Sequence, residues 1–166
     1  MLDHEEQHND KTCVFCAIAA DTASAYIIEQ DDLSIALLDI NPLARGHCLI
    51  IPRRHVPLWH EMTRDETTSL YDIARRVARK LMSAFQPDFI CQYARGRRIP
   101  HAHIFLVPTF SGDLLDRFFN TIELVQEEPH LLTTLKEPDA LKETAEILRG
   151  VNLDESDGVK GSGLAF

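Results

Sequence analysis

The chain has 166 residues and a formal net charge of −9, and this length predicts one domain whose core needs no covalent cross-link. Hydrophobic residues make up 45% and charged residues 26% of it, a balance typical of globular rather than disordered proteins. No apolar run approaches the roughly 20 residues that cross a bilayer, and the polar first twelve residues do not form a signal peptide, so we expect a cytoplasmic protein.

Five short apolar segments, separated by turn residues, predict strands. They lie at residues 26–30, 33–39, 47–52, 89–95 and 99–108. The last two are joined by a short basic turn around Gly96. This pattern favours an antiparallel sheet built from hairpins, with helices packed on it, in an α+β fold class.

Three helices are predicted. Thr63 and Glu66 fit a capping box at the start of a long amphipathic helix. A second helix is predicted over residues 114–126 and a third over 138–149, with Gly150 at its C-terminal cap. The second helix is expected to bury Leu115, Phe118, Phe119 and Ile122.

The predicted organisation is a single domain at residues 13–150, with flexible tails at residues 1–12 and 151–166. Charge changes sign along it: residues 1–52 carry a net −7, residues 53–98 a net +5 and residues 99–166 a net −7. Clustered cations attract anions, so the basic middle segment could mark an anionic ligand site. A solvated surface is the favoured interpretation for its helical part, namely Arg75, Arg76, Arg79 and Lys80.

The four cysteines do not predict a disulfide framework, because the chain shows no secretory signal. Cys48 and Cys91 lie in apolar runs and are expected to be buried in strands. Cys13 and Cys16 form a Cys-x-x-Cys pair, which can share a metal or a disulfide.

The most informative segment is Pro100-His101-Ala102-His103-Ile104-Phe105. In a strand, alternate residues share a face, so His101, His103 and Phe105 are expected to point the same way. Two imidazoles at this spacing can share a metal, an anion or a reaction centre. In an isolated pair, each imidazole is more often a surface or core side chain whose hydrogen bonds are satisfied. The choice between the two interpretations therefore depends on the other motifs of the chain.

Other motifs occur in a fixed order before this segment. They are Cys13-Val14-Phe15-Cys16, Leu37-Leu38-Asp39-Ile40-Asn41-Pro42 and Gly46-His47-Cys48-Leu49-Ile50-Ile51-Pro52-Arg53-Arg54-His55. Together they resemble the histidine-triad (HIT) family of nucleotide hydrolases and transferases, in its compact Hint-like bacterial branch. The resemblance covers about residues 12–108, and it implies the HIT-like fold.

The resemblance implies catalytic roles for three histidines. His103 matches the middle position of the motif, where the family has a nucleophile that attacks the α-phosphorus and forms a nucleotidyl-histidine intermediate. Neutral imidazole suits this role because it is a good nucleophile near pH 7. His47 matches a histidine that lies beside the nucleophile, and His101 matches the first histidine of the motif.

The resemblance also implies a purine-nucleotide site and a metal site. Asp39 matches the acidic residue that accepts hydrogen bonds from the ribose. An apolar wall that sandwiches the base is matched by Val14, Phe15, Ile18, Leu37 and Ile40, of which Leu37 and Ile40 fit a core role equally well. Bacterial members with Cys-x-x-Cys at this place hold a structural zinc, whose ligands match Cys13, Cys16, His55 and His101.

The chain departs from the family's pattern around the phosphate. Phe105 occupies the third motif position, where the family has a histidine or a glutamine. The segment before the motif, which normally holds phosphate-binding groups, is shortened and basic. We expect Arg97 or Arg98 to contact the phosphate, because a guanidinium binds phosphate oxygens bidentately, whereas a solvated turn is the alternative.

The resemblance therefore predicts an enzyme that cleaves at the α-phosphate of a purine-nucleotide conjugate, such as a phosphoramidate, a dinucleoside polyphosphate or an adenylate. A zinc-stabilised nucleotide-binding protein with weak or no catalysis is the main alternative. A third hypothesis is the processing of nucleic-acid adenylates, which Arg95, Arg97 and Arg98 suggest, although no added DNA-binding domain is visible. The acidic total makes bulk nucleic-acid binding an unexpected main role. A homodimer is expected by analogy with the family.

Overall fold

The computed structural model describes residues 13–95, 98–127 and 136–151. These residues form two compact units, divided between Phe110 and Ser111. None of the helices in the described ranges is long and apolar enough to span a membrane. The predicted tails, apart from Val151, lie outside the described residues.

The first unit is built on a five-stranded sheet. Neighbouring strands are all antiparallel, in the order β1-β2-β3-β5-β4. The strands are β1 (Ile27–Gln30), β2 (Ser34–Leu38), β3 (Cys48–Pro52), β4 (Phe89–Ala94) and β5 (Ile104–Thr109). The predicted α+β class and antiparallel sheet are confirmed.

One face of the sheet packs on the long helix α2 (Arg64–Phe85). The helix begins with the predicted capping box, in which the amide of Glu66 donates to the Thr63 hydroxyl and the amide of Thr63 donates to the Glu66 carboxylate. Its apolar stripe forms a core with alternate strand residues, which are Ala36, Cys48, Ile50, Ile104 and Leu106.

The opposite face of the sheet is covered by a short helix, α1 (Val14–Ala19), whose N-cap is Cys13. Phe15 and Ile18 pack there on the other set of alternate strand residues, namely Ile35, Leu37, Leu49 and Ile51. Since successive strand residues point to opposite faces, β2, β3 and β5 contribute to both layers.

The last strand is shorter than predicted. It begins at Ile104, and residues 99–103 form a turn in which the amide of His101 donates to the carbonyl of Ile99. The amide of Ala102 donates to the carbonyl of Val56 and not to a residue of β4, and the β4–β5 pairing ends at Ile104. His101 and His103 therefore lie before β5 and not within it.

The second unit contains the helices α3 (Leu114–Glu127) and α4 (Pro138–Gly150), close to their predicted bounds. The predicted burial on α3 is wrong for Phe118 and Ile122, which are 56% and 38% exposed, and only Leu115 on this helix is buried. Gly150 is the last residue of α4 rather than its cap. Apolar spacing marks a helical face, but does not show what covers it.

Candidate active site and metal-binding cluster

His103 is the best candidate nucleophile, because the backbone fixes its tautomer. Its buried ring places Nδ1 2.7 Å from the carbonyl oxygen of His101. A carbonyl only accepts, so Nδ1 carries the hydrogen and Nε2 keeps its lone pair. Burial lowers the pKa of His103, more than the His101 carbonyl and Asp39 raise it, so the ring is neutral near pH 7.

His101 turns its own ring toward a different set of partners. Nε2 donates to the carbonyl of Pro52 over 2.9 Å, so in the neutral ring Nδ1 carries the lone pair. This Nδ1 lies 3.5 Å from the Cys13 sulfur and 3.6 Å from the Cys16 sulfur. One residue therefore serves two centres, with its carbonyl on His103 and its ring on the cysteine pair.

Four side chains from three segments of the chain converge at that pair. The ligand atoms of Cys13, Cys16, His55 and His101 all lie within 4.8 Å of one another, and the Cys16 sulfur is 3.2 Å from Nδ1 of His55. Ligands bound tetrahedrally at 2.0–2.3 Å would be about 3.3–3.8 Å apart, close to the three contacts of 3.2–3.6 Å. The donor types and spacing fit a metal site, and the four residues are those that the family resemblance implies.

Two arginines fix the backbone that carries His55. Arg53 donates to the carbonyls of Asp31 and Ala19, which lie at the β1–β2 turn and the end of α1. Arg54 donates through Nε and Nη2 to the two carboxylate oxygens of Glu66, at 2.6 and 2.8 Å. The Arg54 guanidinium is the main reason that the pKa of Glu66 falls to about 2. The turn after β3 is thus held to both layers of the fold.

His47 lies just before β3 and has a buried nitrogen without a hydrogen bond. The amide of Leu43 donates to Nδ1 over 3.2 Å, so the hydrogen is on Nε2. Burial lowers the pKa of His47, against the opposing charge of Asp39, so the neutral form is favoured. Nε2 is the only buried side-chain nitrogen or oxygen among the described residues that lacks a hydrogen bond, and it lies 3.7 Å from Oδ2 of Asp39. A buried N–H without a hydrogen-bond partner is uncommon in folded proteins, which makes this atom a candidate functional group.

Gly46 fixes the loop that carries His47. Its φ is +89°, and a Cβ there would lie 2.6 Å from the ring of Phe85 at the end of α2. Arg45 lies over the same ring, 5.0 Å from its centroid. Only glycine fits both the positive φ and the close approach. The loop is therefore held against α2 while His47 faces the other side of the sheet.

Phe105 lines the site, as the strand alternation predicted. Its ring centroid is 4.9 Å from that of His103 and 5.5 Å from that of His47. Tyr93, directly opposite on β4, stacks on it with centroids 4.6 Å apart and an angle of 18° between the planes. No pattern in the sequence marks Tyr93 as a site residue. Its position depends on which residues of β4 and β5 pair with each other, and this register could not be predicted because β5 was predicted to begin too early.

The other predicted site residues differ in exposure. Phe15, Ile18 and Leu37 are buried on the site face, and the Phe15 ring lies 5.3 Å from that of His103 and 5.6 Å from that of His101. Val14 and Ile40 are exposed, Arg98 is exposed, and Arg97 lies outside the described residues. Asp39 is half-buried, and its Oδ1 accepts from the amide of Asn41.

Comparison with known proteins agrees with this geometry. The HIT domain family model matches residues 21–112. An uncharacterised HIT-like protein of Mycobacterium tuberculosis is 34% identical over 108 residues, which are 62% of this chain and 75% of that protein. A bifunctional bis(5'-adenosyl)-triphosphatase/adenylylsulfatase of Arabidopsis thaliana is 30% identical over 103 residues, which are 58% of this chain and 57% of that protein.

A solved structure is similar in both fold and sequence. It is the crystal structure of a Zn-bound histidine triad family protein from Mycobacterium smegmatis, with a TM-score of 0.59 and 28% identity. The match covers 64% of this chain and 81% of that one. It includes a bound metal in a protein of the same architecture.

Proposed function

The chain belongs to the HIT domain family, and from that premise we propose that it is a nucleotide hydrolase or transferase that cleaves at the α-phosphate of a purine-nucleotide conjugate. The observation that carries the proposal is the tautomer of His103, whose Nδ1–H is held by the His101 carbonyl at 2.7 Å. The relatives support the general class, since one of them is a bis(5'-adenosyl)-triphosphatase and adenylylsulfatase.

The proposed reaction proceeds by nucleophilic catalysis in two steps. Nε2 of His103 attacks the α-phosphorus, an N–P bond forms, and the bond to the leaving group breaks, with the electron pair leaving on that group, which is then protonated. Water next attacks the same phosphorus, the N–P bond breaks, and a nucleoside monophosphate is released. Attack makes the imidazole ring cationic, and the hydrogen bond from Nδ1 to the His101 carbonyl stabilises that charge.

The substrate is proposed to bind across the site face of the sheet. Asp39 would accept hydrogen bonds from the ribose hydroxyls, and the free Nε2–H of His47 would donate to a phosphate oxygen beside His103. The apolar wall for the base would be formed by Val14, Phe15, Ile18, Leu37 and Ile40. Arg98 and Arg97 remain candidate phosphate ligands from the turn before β5.

The Cys13, Cys16, His55 and His101 cluster is proposed to hold a structural zinc. Two thiolates and two imidazoles are a common ligand set for closed zinc sites. The hydrogen bond from His101 Nε2 to the Pro52 carbonyl supports this, because ligand histidines usually donate their second nitrogen in this way. When bound, the ion would link α1, the turn after β3 and the turn before β5.

A homodimer is also proposed, by analogy with the family. In the described sheet β4 pairs only with β5, so its other edge is open to a strand of a second copy. Light scattering coupled to size-exclusion chromatography would give the mass in solution.

The test of the proposed reaction is to trap its intermediate. Incubation with adenosine 5'-phosphoramidate, followed by an acid-free quench and intact-mass measurement, should show an added nucleotidyl group on the wild-type protein. His103→Ala should show neither the adduct nor turnover. His60→Ala, which removes an exposed histidine away from this cluster, is the matched control and should behave as wild type.

The same measurement distinguishes the proposed enzyme from the main alternative. Phe105 replaces a polar residue next to the nucleophile, which favours a nucleotide-binding protein without catalysis as the second candidate. Wild-type protein that binds adenosine 5'-monophosphate but gives no adduct and no turnover would support that candidate and contradict the proposed enzyme.

A further inference from the structure

Phe105 leaves the phosphate side of the proposed site short of a hydrogen-bond donor. Its ring lies between those of His103 and His47, at 4.9 and 5.5 Å, so it occupies the place next to the nucleophile. A phenyl ring cannot donate a hydrogen bond to a phosphate oxygen. Any donor here must come from a residue that reaches the same place from a neighbouring element.

Tyr93 lies next to Phe105 on the adjacent strand. It is the cross-strand partner of Phe105, and paired residues of an antiparallel ladder project from the same face of the sheet. Their rings are nearly parallel and stacked, with centroids 4.6 Å apart. The phenol oxygen stands one bond beyond a ring that stacks on Phe105, whose own ring lies 4.9 Å from that of His103.

The Tyr93 hydroxyl is available as a donor. It makes no hydrogen bond to any residue in the described part of the chain, although the ring is half-buried by its stack. Burial raises the pKa of the Tyr93 phenol, and the neighbouring Cys91 and Asp39 raise it further. The phenol therefore stays protonated at neutral pH and keeps the hydrogen that it would donate.

We propose that the hydroxyl of Tyr93 donates a hydrogen bond to an oxygen of the α-phosphate, in place of the polar side chain that the third motif position lacks. The inference rests on the proposed function, since it assumes that a nucleotide phosphate lies against His103. The stacked pair then acts as one unit, in which Phe105 supports the ring and Tyr93 supplies the donor.

The experiment compares a nucleotide with its nucleoside. Tyr93→Phe keeps the stacked ring and removes only the hydroxyl. Titration calorimetry with adenosine 5'-monophosphate should show affinity weakened by about tenfold or more, the range for a hydrogen bond to a charged group. Affinity for adenosine, which has no phosphate, should stay within about twofold. Tyr71→Phe, on the exposed side of α2, is the matched control and should change neither value.

A second variant tests whether the two positions supply the same contact. Phe105→His should restore affinity for adenosine 5'-monophosphate in the Tyr93→Phe background and add little to the wild type. Equal gains in both backgrounds would show independent contacts and overturn the proposal.

The outcomes distinguish this inference from the function on which it rests. If wild-type protein binds adenosine 5'-monophosphate more tightly than adenosine and Tyr93→Phe leaves that preference intact, the inference alone is overturned. If Tyr93→Phe weakens both probes equally, the residue has a structural role and the inference is again wrong. Wild-type protein that binds neither probe overturns the proposed function itself.

Discussion

The two faces of the central sheet are built from the same strands but differ in what they bury. On the α2 face the core is formed by apolar strand residues such as Ile50 and Ile104, and the buried Ser34 is hydrogen-bonded to Ser69 of α2. The opposite face buries apolar residues beside three histidines, His47, His101 and His103, each less than a tenth exposed. Because successive strand residues point to opposite faces, one residue packs against α2 and stabilises the fold, whereas the next lies on the face of the candidate site.

The difference shows how the chain tolerates buried polar groups. On the site face, the backbone takes up one nitrogen of each histidine: Leu43 donates to His47, and the carbonyls of Pro52 and His101 accept from His101 and His103. The second nitrogen of each ring is left for a ligand or for the cysteine cluster. The hydrogen bond at one ring nitrogen thus offsets part of the free-energy cost of burying the imidazole. The second nitrogen can still donate or accept a hydrogen bond or bind a ligand.

The largest effect on stability is expected on the α2 face. Ile50→Ala removes a fully buried side chain and should lower the free energy of unfolding by about 2–5 kcal/mol. The folded fraction should keep its affinity for adenosine 5'-monophosphate, because Ile50 points away from the site. Chemical denaturation and titration calorimetry measure the two properties.

Phe15→Ala is the matched variant on the site face, where the ring contacts His101 and His103. It should lower both stability and nucleotide affinity. If Ile50→Ala weakened nucleotide binding as much as Phe15→Ala, the prediction that only the site face binds nucleotide would be wrong.

An intermediate effect is expected from metal removal, which acts only on the site face. A metal present at a hundred times its dissociation constant stabilises the folded state by about 2.7 kcal/mol, so chelation should lower the melting temperature. Metal analysis should find about one zinc per chain in the untreated protein. Both results should be lost in the Cys13→Ser, Cys16→Ser double variant.

Cys91→Ser changes a buried cysteine outside the cluster and is the control. It should keep both the metal and the response to chelator. A metal-free wild-type protein whose melting is unchanged by chelator would leave Cys13 and Cys16 as ordinary thiols.

The smallest effect concerns the ion pair that links the two faces through Arg54. Glu66→Gln should lower the free energy of unfolding by about 1 kcal/mol at pH 7, because Arg54 is half-exposed and the solvent screens the pair. The pKa of Glu66 is lowered on folding from 4.5 to about 2. Its contribution is therefore complete above pH 4.5 and is lost as the pH falls from there to about 2.

Urea unfolding of the wild type and Glu66→Gln between pH 7 and pH 2 measures this difference, which should shrink in that window. Asp65→Asn makes the same charge change at an exposed position, and is the control. A difference that grew on acidification would have the wrong sign for a lowered carboxyl pKa.

The sequence predicted those features whose signals are local. Thr63 and Glu66 mark the start of α2 because a capping box is complete within four residues. The strand alternation likewise placed Phe105 on the face of His103. The cysteine cluster came only from the family resemblance, since its members lie in three segments that folding alone brings together.

Features that depend on tertiary contacts were missed. Residues 99–103 were predicted to continue β5, but the amide of Ala102 donates to the distant Val56 carbonyl, and the pairing with β4 ends at Ile104. The stack of Tyr93 on Phe105 follows from that register. The exposure of Phe118 depends on what packs near α3, which no local pattern records.

The two roles of His101 have a consequence for how the sequences of proteins with this fold can diverge. Its ring belongs to the cysteine cluster, whereas the group that orients His103 is a main-chain carbonyl, which every residue type possesses. A substitution at position 101 would therefore remove one ligand of the proposed metal site and leave the acceptor for Nδ1 of His103 in place. Relatives with this fold could then lose the proposed metal without losing the hydrogen bond that orients the candidate nucleophile.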